Sequence, residues 1–402
     1  FMVSGTHCFA DILVRDGSGW KVYEVKSSTK ISEVYLYDAA FQYRVIRNSG
    51  IEITDFSIVF INNQYVRQGE FDIHSLFTVQ SVHDEVLSRQ QEISELLELQ
   101  VNALQQEAVP DISIGPHCFD PYDCDFMGHC WDGVPEYSVF DIARLAREKK
   151  FDLFHSGIEL TADLPDQYPL SANQQMQVDA DKTGKMIIDR DAIKAFLETL
   201  SYPLYFLDFE TFNPAIPLYD NSRPYQQIVF QYSLHILKSK AGEMLHSEYL
   251  ASTSADPRKP MMEQLISNLD GSGSILVYNQ GFEVGRLNEI ARDFPEYEKP
   301  VLEIQARIID LMAPFQQKAY YTPAMKGSYS IKEVLPALVP GFSYKNLAIS
   351  KGGDASLAFE SLLKATDPEM IAKTRKDLLA YCAMDTLAMV ELLRVLEEVA
   401  GR

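Results

Sequence analysis

Residues 205–212, with the sequence YFLDFETF, have the aromatic and aliphatic composition of a buried β-strand but carry two carboxylates. Side chains at positions i and i+2 of a strand point to the same side of the sheet, so Asp208 and Glu210 would share one small volume. Two like charges this close repel each other strongly unless a cation offsets the repulsion. The segment therefore predicts a strand that presents a pair of ligands to a metal ion.

Composition narrows the class of protein. The 402 residues carry a formal charge of −21 and are 46% hydrophobic, which is typical of globular proteins with substantial cores. Such a charge argues against a surface coated with basic residues, so a nucleic-acid partner would be held in local basic grooves or through metal ions. No apolar run has the length of a membrane span, and no secretory signal is visible. We therefore expect a cytoplasmic protein without a membrane partner; its oligomeric state is not indicated.

The first part of the chain has the pattern of a small α/β unit. Two β-rich runs flank the turn sequence DGSG, which favours a hairpin. A helix follows, with Gly50 at its C-terminal cap, and then a strand over residues 54–62. A single polar, amphipathic helix is predicted over residues 81–107. We expect this first domain to span residues 1–134.

The rest of the chain divides into a connector and a second domain. Residues 135–200 predict a helical connector interrupted by prolines and by the polar stretch DADKTGK. From residue 201 onwards, four strands are followed by helices, and the last helix is predicted over residues 368–399. This order indicates an α/β domain over residues 201–402.

Two further acids and a tyrosine extend the first acidic pair. Glu283 is expected in the first turn of a helix that follows the strand ending at Tyr278 and Asn279. Tyr381 and Asp385 are four residues apart on a helix and therefore lie on one face. Carboxylates converging from separate elements are what two Mg²⁺ or Mn²⁺ ions require in phosphodiester-cleaving sites. Without such a function, these residues would be an exposed strand end, an acid favoured by a helix N-terminus and a solvated helix face.

The order D-x-E on a strand, N-x-x-F-(D/E) at a helix start and Y-x-x-x-D on a late helix resembles the DEDDy branch of the ribonuclease H-like 3′–5′ exonucleases, over residues 204–399. The resemblance implies that Tyr381 positions the attacking water and that single-stranded 3′ ends of DNA or RNA are the partner. Glu283 stands where these exonucleases usually have Asp, which shifts the carboxylate by one methylene. By the same resemblance, Mg²⁺ or Mn²⁺ would be held by Asp208, Glu210, Glu283 and Asp385.

Three polar residues near these acids are candidates for contact with a nucleic-acid backbone. Arg223 and Gln227 follow the first acidic pair, and Lys332 lies in the segment GSYSIKEVL. The alternatives are that the residues around Arg223 cap a loop and that Lys332 is an ordinary lysine on a helix surface.

The first domain carries a second acidic pattern. Asp11 on one strand is followed across the hairpin by Glu24 and Lys26, which share a face of the next strand. This arrangement resembles the PD-(D/E)XK nuclease core, in which the acids bind Mg²⁺ and the lysine supports the nucleophile or the phosphate charge. Gln42 on the following helix resembles the glutamine of RecB-type nucleases, and because the chain begins at Phe1, within the first strand region, we expect that fold to be truncated. The alternative is a solvated strand face with alternating charges.

Three cysteines follow the first domain's helix with even spacing, at Cys118, Cys124 and Cys130. RecB-like nucleases of the iron–sulfur type carry three cysteines in this location and a fourth upstream, which together hold a [4Fe–4S] cluster. Here the nearest upstream cysteine is Cys8. The competing hypothesis is a Zn²⁺ ion bound by the three cysteines and His117 or His129, and the remaining one is three reduced cysteines in a compact loop.

Together the two resemblances cover nearly the whole chain. In this order the two regions resemble a bacterial family that joins a RecB-like nuclease region with a cysteine cluster to a DEDD exonuclease-like domain. We therefore expect a metal-dependent 3′–5′ exonuclease. The alternatives are a catalytically impaired nucleic-acid-binding scaffold of a repair or defence system and an enzyme acting on another phosphoester.

Overall fold

The computed structural model describes residues 1–3, 5–240, 242–269, 271–342 and 347–401. It is a mixed α/β protein, as predicted, and contains several separate sheets. The chain forms two compact units. The first comprises Phe1–Cys124 and Pro214–Gln226, and the second comprises Asp125–Asn213 and Gln227–Arg402. The predicted division into domains at residues 1–134, 135–200 and 201–402 stays a prediction.

The first unit is built on a four-stranded sheet in which the central pair is parallel and both edge strands are antiparallel. The predicted hairpin is present, and Gly17 in its turn has a φ of 59°, a left-handed conformation that glycine adopts without strain. The strands are β1 (Met2–Val3), β2 (Thr6–His7), β3 (Ile12–Asp16), β4 (Gly19–Lys26), β5 (Ile53–Ile61) and β6 (Phe77–Ser81). The helices are α1 (Glu33–Asn48), α2 (Ile73–Leu76), α3 (His83–Ser88) and α4 (Gln90–Leu104).

Helix α1 follows its predicted pattern, because Gly50 lies just beyond the helix end with a φ of 92°. The single helix predicted over residues 81–107 is wrong: Ser81 ends strand β6, and the helical part is divided into α3 and α4. At the break, the side-chain amide of Gln90 donates to the carbonyl of Val86, the acceptor that a continuous helix would offer to the Gln90 backbone N–H.

The second unit contains the remaining elements. Its strands are β7 (Ile187–Ile188), β8 (Leu204–Phe212), β9 (Ile228–Leu237), β10 (Met244–Leu250), β11 (Ile275–Val277), β12 (Ile308–Asp310) and β13 (Tyr320–Tyr321). Its helices are α5 (Met127–Cys130), α6 (Arg147–His155), α7 (Ala172–Thr183), α8 (Arg190–Glu198), α9 (Arg258–Asn268), α10 (Gly281–Asp293), α11 (Glu298–Gln305), α12 (Ala313–Gln316), α13 (Ile331–Leu338), α14 (Gly352–Leu362) and α15 (Pro368–Val399).

The connector is less purely helical than predicted. Strand β7 lies within it and pairs with β13. Most of the stretch DADKTGK is itself helical, because α7 continues to Thr183. Gly184 caps the end of this helix with a φ of 65°.

Strand β8 lies at the centre of a five-stranded sheet with the order β10-β9-β8-β11-β12. It is antiparallel to β9 and parallel to β11. One face of β8, with Tyr205, Leu207 and Phe209, packs into a core formed with α9, α10 and α11. The alternation of a strand therefore places Asp208 and Glu210 on the opposite face, where Cys382 of α15 contacts Asp208.

Aromatic packing fixes α14 against the same face of this sheet. Phe359 stacks on Phe230, with ring centroids 4.1 Å apart, and also contacts Phe212. Phe230 occupies an irregularity in the pairing of β8 with β9, directly beside the partner of Glu210. The acidic face of β8 is thereby covered by two helices. In the described part of the chain, no helix combines the length and apolar character needed to cross a membrane.

Candidate functional site

The acids predicted from the sequence lie in the second unit on three elements. Asp208 and Glu210 project from β8, Glu283 lies in the first turn of α10, and Tyr381 and Asp385 lie on α15. Asp208 is half-buried, and the other four side chains are between 2% and 8% exposed. The interpretation of these residues as an exposed strand end and a solvated helix face is therefore wrong.

The side chains of β8 and α15 meet closely. Oxygens of Asp208 and Glu210 and the sulfur of Cys382 lie within 4.8 Å of one another. The buried thiol of Cys382 lies 3.6 Å from Oδ2 of Asp208. The charges of Glu283 and Asp385 act on both acids of β8. The structure thus brings the four predicted acids into one electrostatic cluster.

Burial dominates the proton affinity of this cluster. It raises the pKa of Glu210 to about 8, with Asp385 adding to the effect and Lys332 opposing it. Burial likewise raises the pKa of Glu283 to about 8, although its own backbone N–H opposes the shift. The pKa of Asp208 is raised well above its ordinary value by burial and then by Asp385, Glu210 and Glu283. Carboxylates in this environment hold protons until a cation offsets their charge.

The donor set fits hard divalent cations. Oxygen ligands from several carboxylates are what Mg²⁺ and Mn²⁺ select. Among the described residues, Oε2 of Glu283 is buried without a hydrogen-bond partner, which is costly unless a ligand contacts it. Burial raises the pKa of the Cys382 thiol well above its ordinary value, so the neutral thiol donates to Asp208 and is not itself suited to bind a hard ion.

Tyr381 and Lys332 form a hydrogen-bonded pair beside the acids. The Lys332 ammonium donates to the Tyr381 hydroxyl over 3.2 Å and to the carbonyl of Ser350 over 2.8 Å. Burial raises the pKa of Tyr381, so its hydroxyl keeps its proton. The interpretation of Lys332 as an ordinary surface lysine is wrong, while its contact with nucleic acid stays a prediction.

Asp310 is a fifth acid that the sequence analysis missed. It ends β12 and accepts hydrogen bonds from the backbone N–H groups of Asn279, Gln280 and Met312, at 2.9–3.1 Å. These bonds anchor the segment that leads into α10, and with it Glu283. The available signal was an acid at the carboxyl end of a short apolar strand, where functional groups of parallel sheets gather.

A buried polar network behind the site was also missed. The hydroxyl of Thr386 lies 2.7 Å from that of Ser233 and 2.8 Å from Nδ1 of His235, and Ser233 also contacts Nε2 of His246. Burial lowers the pKa of His235 to about 4, so the ring is neutral. The network fixes α15 against β9 at the residue next to Asp385. Its sequence signal was the polar alternation of Gln231, Ser233 and His235 along an otherwise apolar strand.

In the first unit, the second acidic pattern is partly assembled. Nζ of Lys26 lies 2.8 Å from Oε1 of Glu24 and 2.5 Å from Oδ2 of Asp38, and Gln42 donates to the same Asp38 oxygen. Glu24 is only 7% exposed, so the solvated-strand interpretation is wrong for it. Among the described residues, Oε2 of Glu24 and Oε1 of Gln42 are buried without hydrogen-bond partners. Asp38, which lies four residues before Gln42 on the same helix face, was missed.

Asp11 differs from its predicted position. It lies at a bend just before β3 instead of on the strand, and it is exposed. Its carboxylate accepts a hydrogen bond from the backbone N–H of Val25, at 2.8 Å. This bond places Asp11 next to the strand that carries Glu24. The N–H of Val25 can take a side-chain acceptor because the pairing of β3 with β4 ends at Tyr23.

The five cysteines are free thiols. Cys118 is buried in a short turn, its carbonyl accepts the backbone N–H of Cys124, and both Cys124 and Cys130 are exposed. Cys130 belongs to the second unit and the other two to the first. Cys8 is buried in the core of the first unit. Whether these residues hold an iron–sulfur cluster or zinc stays a prediction.

The two candidate nucleic-acid contacts that follow the first acidic pair, Arg223 and Gln227, also belong to different units. Arg223 lies in the first unit, where its backbone N–H donates to the side-chain oxygen of Gln226, so Gln226 does cap a loop. Gln227 begins the second part of the other unit. Contact of Arg223 and Gln227 with nucleic acid stays a prediction.

The known proteins that this chain is similar to have no assigned activity. Residues 205–330 match a family described as a domain of unknown function, DUF2779. The chain is 28% identical over 228 residues to the uncharacterized protein MG366 homolog of Mycoplasma pneumoniae, covering 52% of this chain and 34% of that protein. It is 31% identical over 194 residues to the uncharacterized protein UU173 of Ureaplasma parvum, covering 42% and 27%.

The chain thus spans about a third of the length of these relatives. No solved structure is significantly similar to it. The match to DUF2779 covers under a third of the chain but includes Asp208, Glu210, Glu283 and Asp310. Over that region, the chain is similar to DUF2779.

Proposed function

We propose that the protein is a metal-dependent 3′–5′ exonuclease that hydrolyses phosphodiester bonds of DNA or RNA. The observation that carries the proposal is the meeting of four acids and one tyrosine, far apart in sequence, on the helix-covered face of a central strand. Structural acids are rarely buried together without a cation, because their repulsion and desolvation oppose folding.

The sheet supports the ribonuclease H-like part of this proposal. Five strands with a single antiparallel member, β9, and the acidic pair on the middle strand are consistent with the fold that the motif order implies. The mixed sheet of the first unit, with a hairpin carrying Glu24 and Lys26 followed by a helix, is consistent with a PD-(D/E)XK core. That unit would either cleave separately or grip the strand, and its cysteines would bind an iron–sulfur cluster or zinc.

Mg²⁺ or Mn²⁺ would be held by Asp208, Glu210, Glu283 and Asp385, and the ions would supply a nucleophilic water and offset the charge of the reacting phosphate. The protonated hydroxyl of Tyr381, which accepts a hydrogen bond from Lys332, would orient that water by a hydrogen bond. The apolar sheet and helices around the acids exclude bulk water, which strengthens every electrostatic interaction in the site. Hydrolysis then shortens the strand from its 3′ end.

One observation favours a second candidate, a nucleic-acid-binding scaffold without activity. Glu283 replaces the shorter acid usual in these exonucleases, and its buried carboxylate has a pKa of about 8. A carboxyl that keeps its proton at neutral pH would bind a cation weakly.

Metal titration separates the two functions. We expect calorimetry at pH 8 to show two Mn²⁺ ions per wild-type chain, and binding to be lost in Asp208→Asn but kept in Asp191→Asn, which changes an exposed acid of α8. Equal binding of a single-stranded oligonucleotide by wild type and Asp208→Asn, without any metal binding, would instead establish the scaffold.

A further inference from the structure

The second unit contains a cleft of about 870 Å³ outside the acid cluster. That volume is within the usual range for sites that bind small ligands. Its walls come from four parts of the chain: residues 141–150 of the connector, residues 278–279 after β11, residues 312–316 at α12, and residues 326–331, which reach the start of α13. The predicted connector therefore provides one wall of the cleft.

The cleft adjoins the acids through two of these segments. Strands β11 and β8 pair in parallel, with Ile275 level with Tyr205 and Leu276 level with Phe206. Tyr278 follows β11 directly, and Asp208 lies two residues beyond Phe206, so both lie towards the same end of this strand pair. Residue Ile331 lines the cleft and precedes Lys332, whose ammonium donates to Tyr381. A polymer bound at the acids can thus continue into the cleft without leaving this unit.

Three cationic side chains line the cleft of a protein whose formal charge is −21. Arg144 donates to the hydroxyl of Tyr329 at 3.0 Å, Lys150 donates to a backbone carbonyl at 2.6 Å, and Lys326 pairs with Glu136. The acid of the lining, Asp141, accepts from the backbone N–H of Ser138. Guanidinium and ammonium groups have several donors each, so these contacts leave donors for an anion.

The lining also offers aromatic surface. The Arg144 guanidinium lies over the ring of Tyr329, 5.6 Å from the ring centre. The hydroxyl of Tyr278 donates to the carbonyl of Tyr329 at 2.6 Å. Cations interleaved with tyrosines are the combination with which proteins hold single-stranded nucleic acid, because phosphates pair with the cations and bases stack on the rings.

Backbone conformation points to the same place. Six residues other than glycine have a positive φ in the described part of the chain, and three of them line this cleft: Arg144 at 56°, Asn279 at 76° and Lys326 at 49°. Left-handed backbone is unfavourable for residues with a Cβ and tends to gather at functional sites. The fold thus keeps Arg144 and Lys326, two of the three cationic residues of the cleft, in an unfavourable backbone conformation.

We propose that this cleft binds one nucleotide of the substrate strand, 5′ of the bond cleaved at the acids. Arg144, Lys150 and Lys326 contact its phosphate, and its base stacks on Tyr329. The proposal rests on the exonuclease function for the identity of the strand, but the chemistry of the cleft alone specifies a nucleotide.

Binding is tested in the Asp208→Asn background, which cannot degrade the probe, by fluorescence anisotropy with a labelled twelve-nucleotide single strand. The chain offers a matched pair, because Lys149 and Lys150 are neighbours on α6 and only Lys150 lines the cleft. We expect Lys150→Gln and Arg144→Gln each to weaken binding about tenfold. Each should also reduce, by about one, the slope of the logarithm of the binding constant against the logarithm of the salt concentration. Lys149→Gln should bind as the background does, and Tyr329→Leu should weaken binding without changing the salt dependence.

The cleft and the exonuclease function fail in different ways. The same two lysine variants are then made in the chain that keeps Asp208. If that chain degrades the strand and Lys150→Gln raises the KM but not the kcat, the cleft proposal is supported. If Lys150→Gln and Lys149→Gln behave alike, the cleft proposal is overturned while the exonuclease function stands. If nothing is degraded, calorimetry with AMP decides: binding that is lost in Lys150→Gln supports a nucleotide site, and no binding, or binding unchanged in that variant, overturns it.

Discussion

Replacing Glu210 with Gln should change how the stability of the metal-free protein depends on pH. Burial raises the pKa of Glu210 from 4.5 to about 8. Between these values the unfolded chain has released this proton while the folded chain retains it, so the folded state loses stability as the pH rises. Glutamine has nearly the same shape and does not titrate, so Glu210→Gln removes this contribution.

The magnitude follows from the two pKa values. The difference corresponds to about 5 kcal/mol of stability that the wild type loses between pH 4.5 and pH 8. For a unit of this size, each kcal/mol changes the Tm by about 2 °C, so Glu210→Gln should melt up to about 10 °C above wild type at pH 8. At pH 4.5 the two proteins should melt at nearly the same temperature, since the folded carboxyl is then protonated and the unfolded one is half-protonated, which leaves a difference of under about 0.5 kcal/mol.

Differential scanning calorimetry in EDTA, at half-unit steps from pH 4.5 to pH 8.5, measures this effect. Glu303→Gln is the matched control, because Glu303 is an exposed glutamate 3.8 Å from Lys299 and should change stability by less than about 0.5 kcal/mol. Parallel pH profiles for wild type and Glu210→Gln would refute the argument that burial and like charges raise this pKa. Mn²⁺ should raise the wild-type Tm more at pH 8 than at pH 5, because ligands must lose their protons to bind it.

Three further experiments have defined outcomes. Tyr381→Phe should reduce single-turnover cleavage at least about tenfold while the Mn²⁺-induced rise in Tm is unchanged, because the proposed mechanism gives this hydroxyl, which accepts from Lys332, the orientation of the water and no metal to bind. Gly273→Ala should destabilise the protein by more than about 2 kcal/mol, since the added Cβ would lie 2.1 Å from the carbonyl oxygen of Pro203. Gly285→Ala in α10 should stabilise it by about 0.5–1 kcal/mol, because the added Cβ would meet open space. Thermal melting measures both effects. Cys124→Ser should remove bound iron or zinc measured by elemental analysis after anaerobic purification, and equal metal content in both proteins would contradict the cysteine-site prediction.

Local signals made some elements predictable. Helix α15 begins and ends where the pattern placed it, because Pro368 occupies its first turn and Asp367 caps it by accepting the backbone N–H of Glu369. Strand β8 was predictable from its apolar alternation around Asp208 and Glu210. These features depend on residues adjacent in sequence.

The contacts that complete the site depend on residues far apart in sequence. Nothing near Lys332 indicates that its ammonium reaches Tyr381, because 49 residues separate them and α13 and α15 must first pack together. Asp38 was overlooked because its role follows from the approach of Lys26 on a neighbouring strand. The break between α3 and α4 likewise depends on Gln90, whose amide also reaches the carbonyl of Ala40 on another helix. Such tertiary contacts override local periodicity.

Cleavage of 5′-labelled single-stranded DNA and RNA with Mn²⁺ tests the central claim most directly, comparing wild type with Asp208→Ala and Glu24→Ala on a sequencing gel. We predict a ladder that shortens from the 3′ end in wild type and in Glu24→Ala and is absent in Asp208→Ala. An unchanged ladder in Asp208→Ala, or intact substrate in wild type that nevertheless binds the strand, would contradict the assignment of exonuclease activity to the acids of β8, α10 and α15.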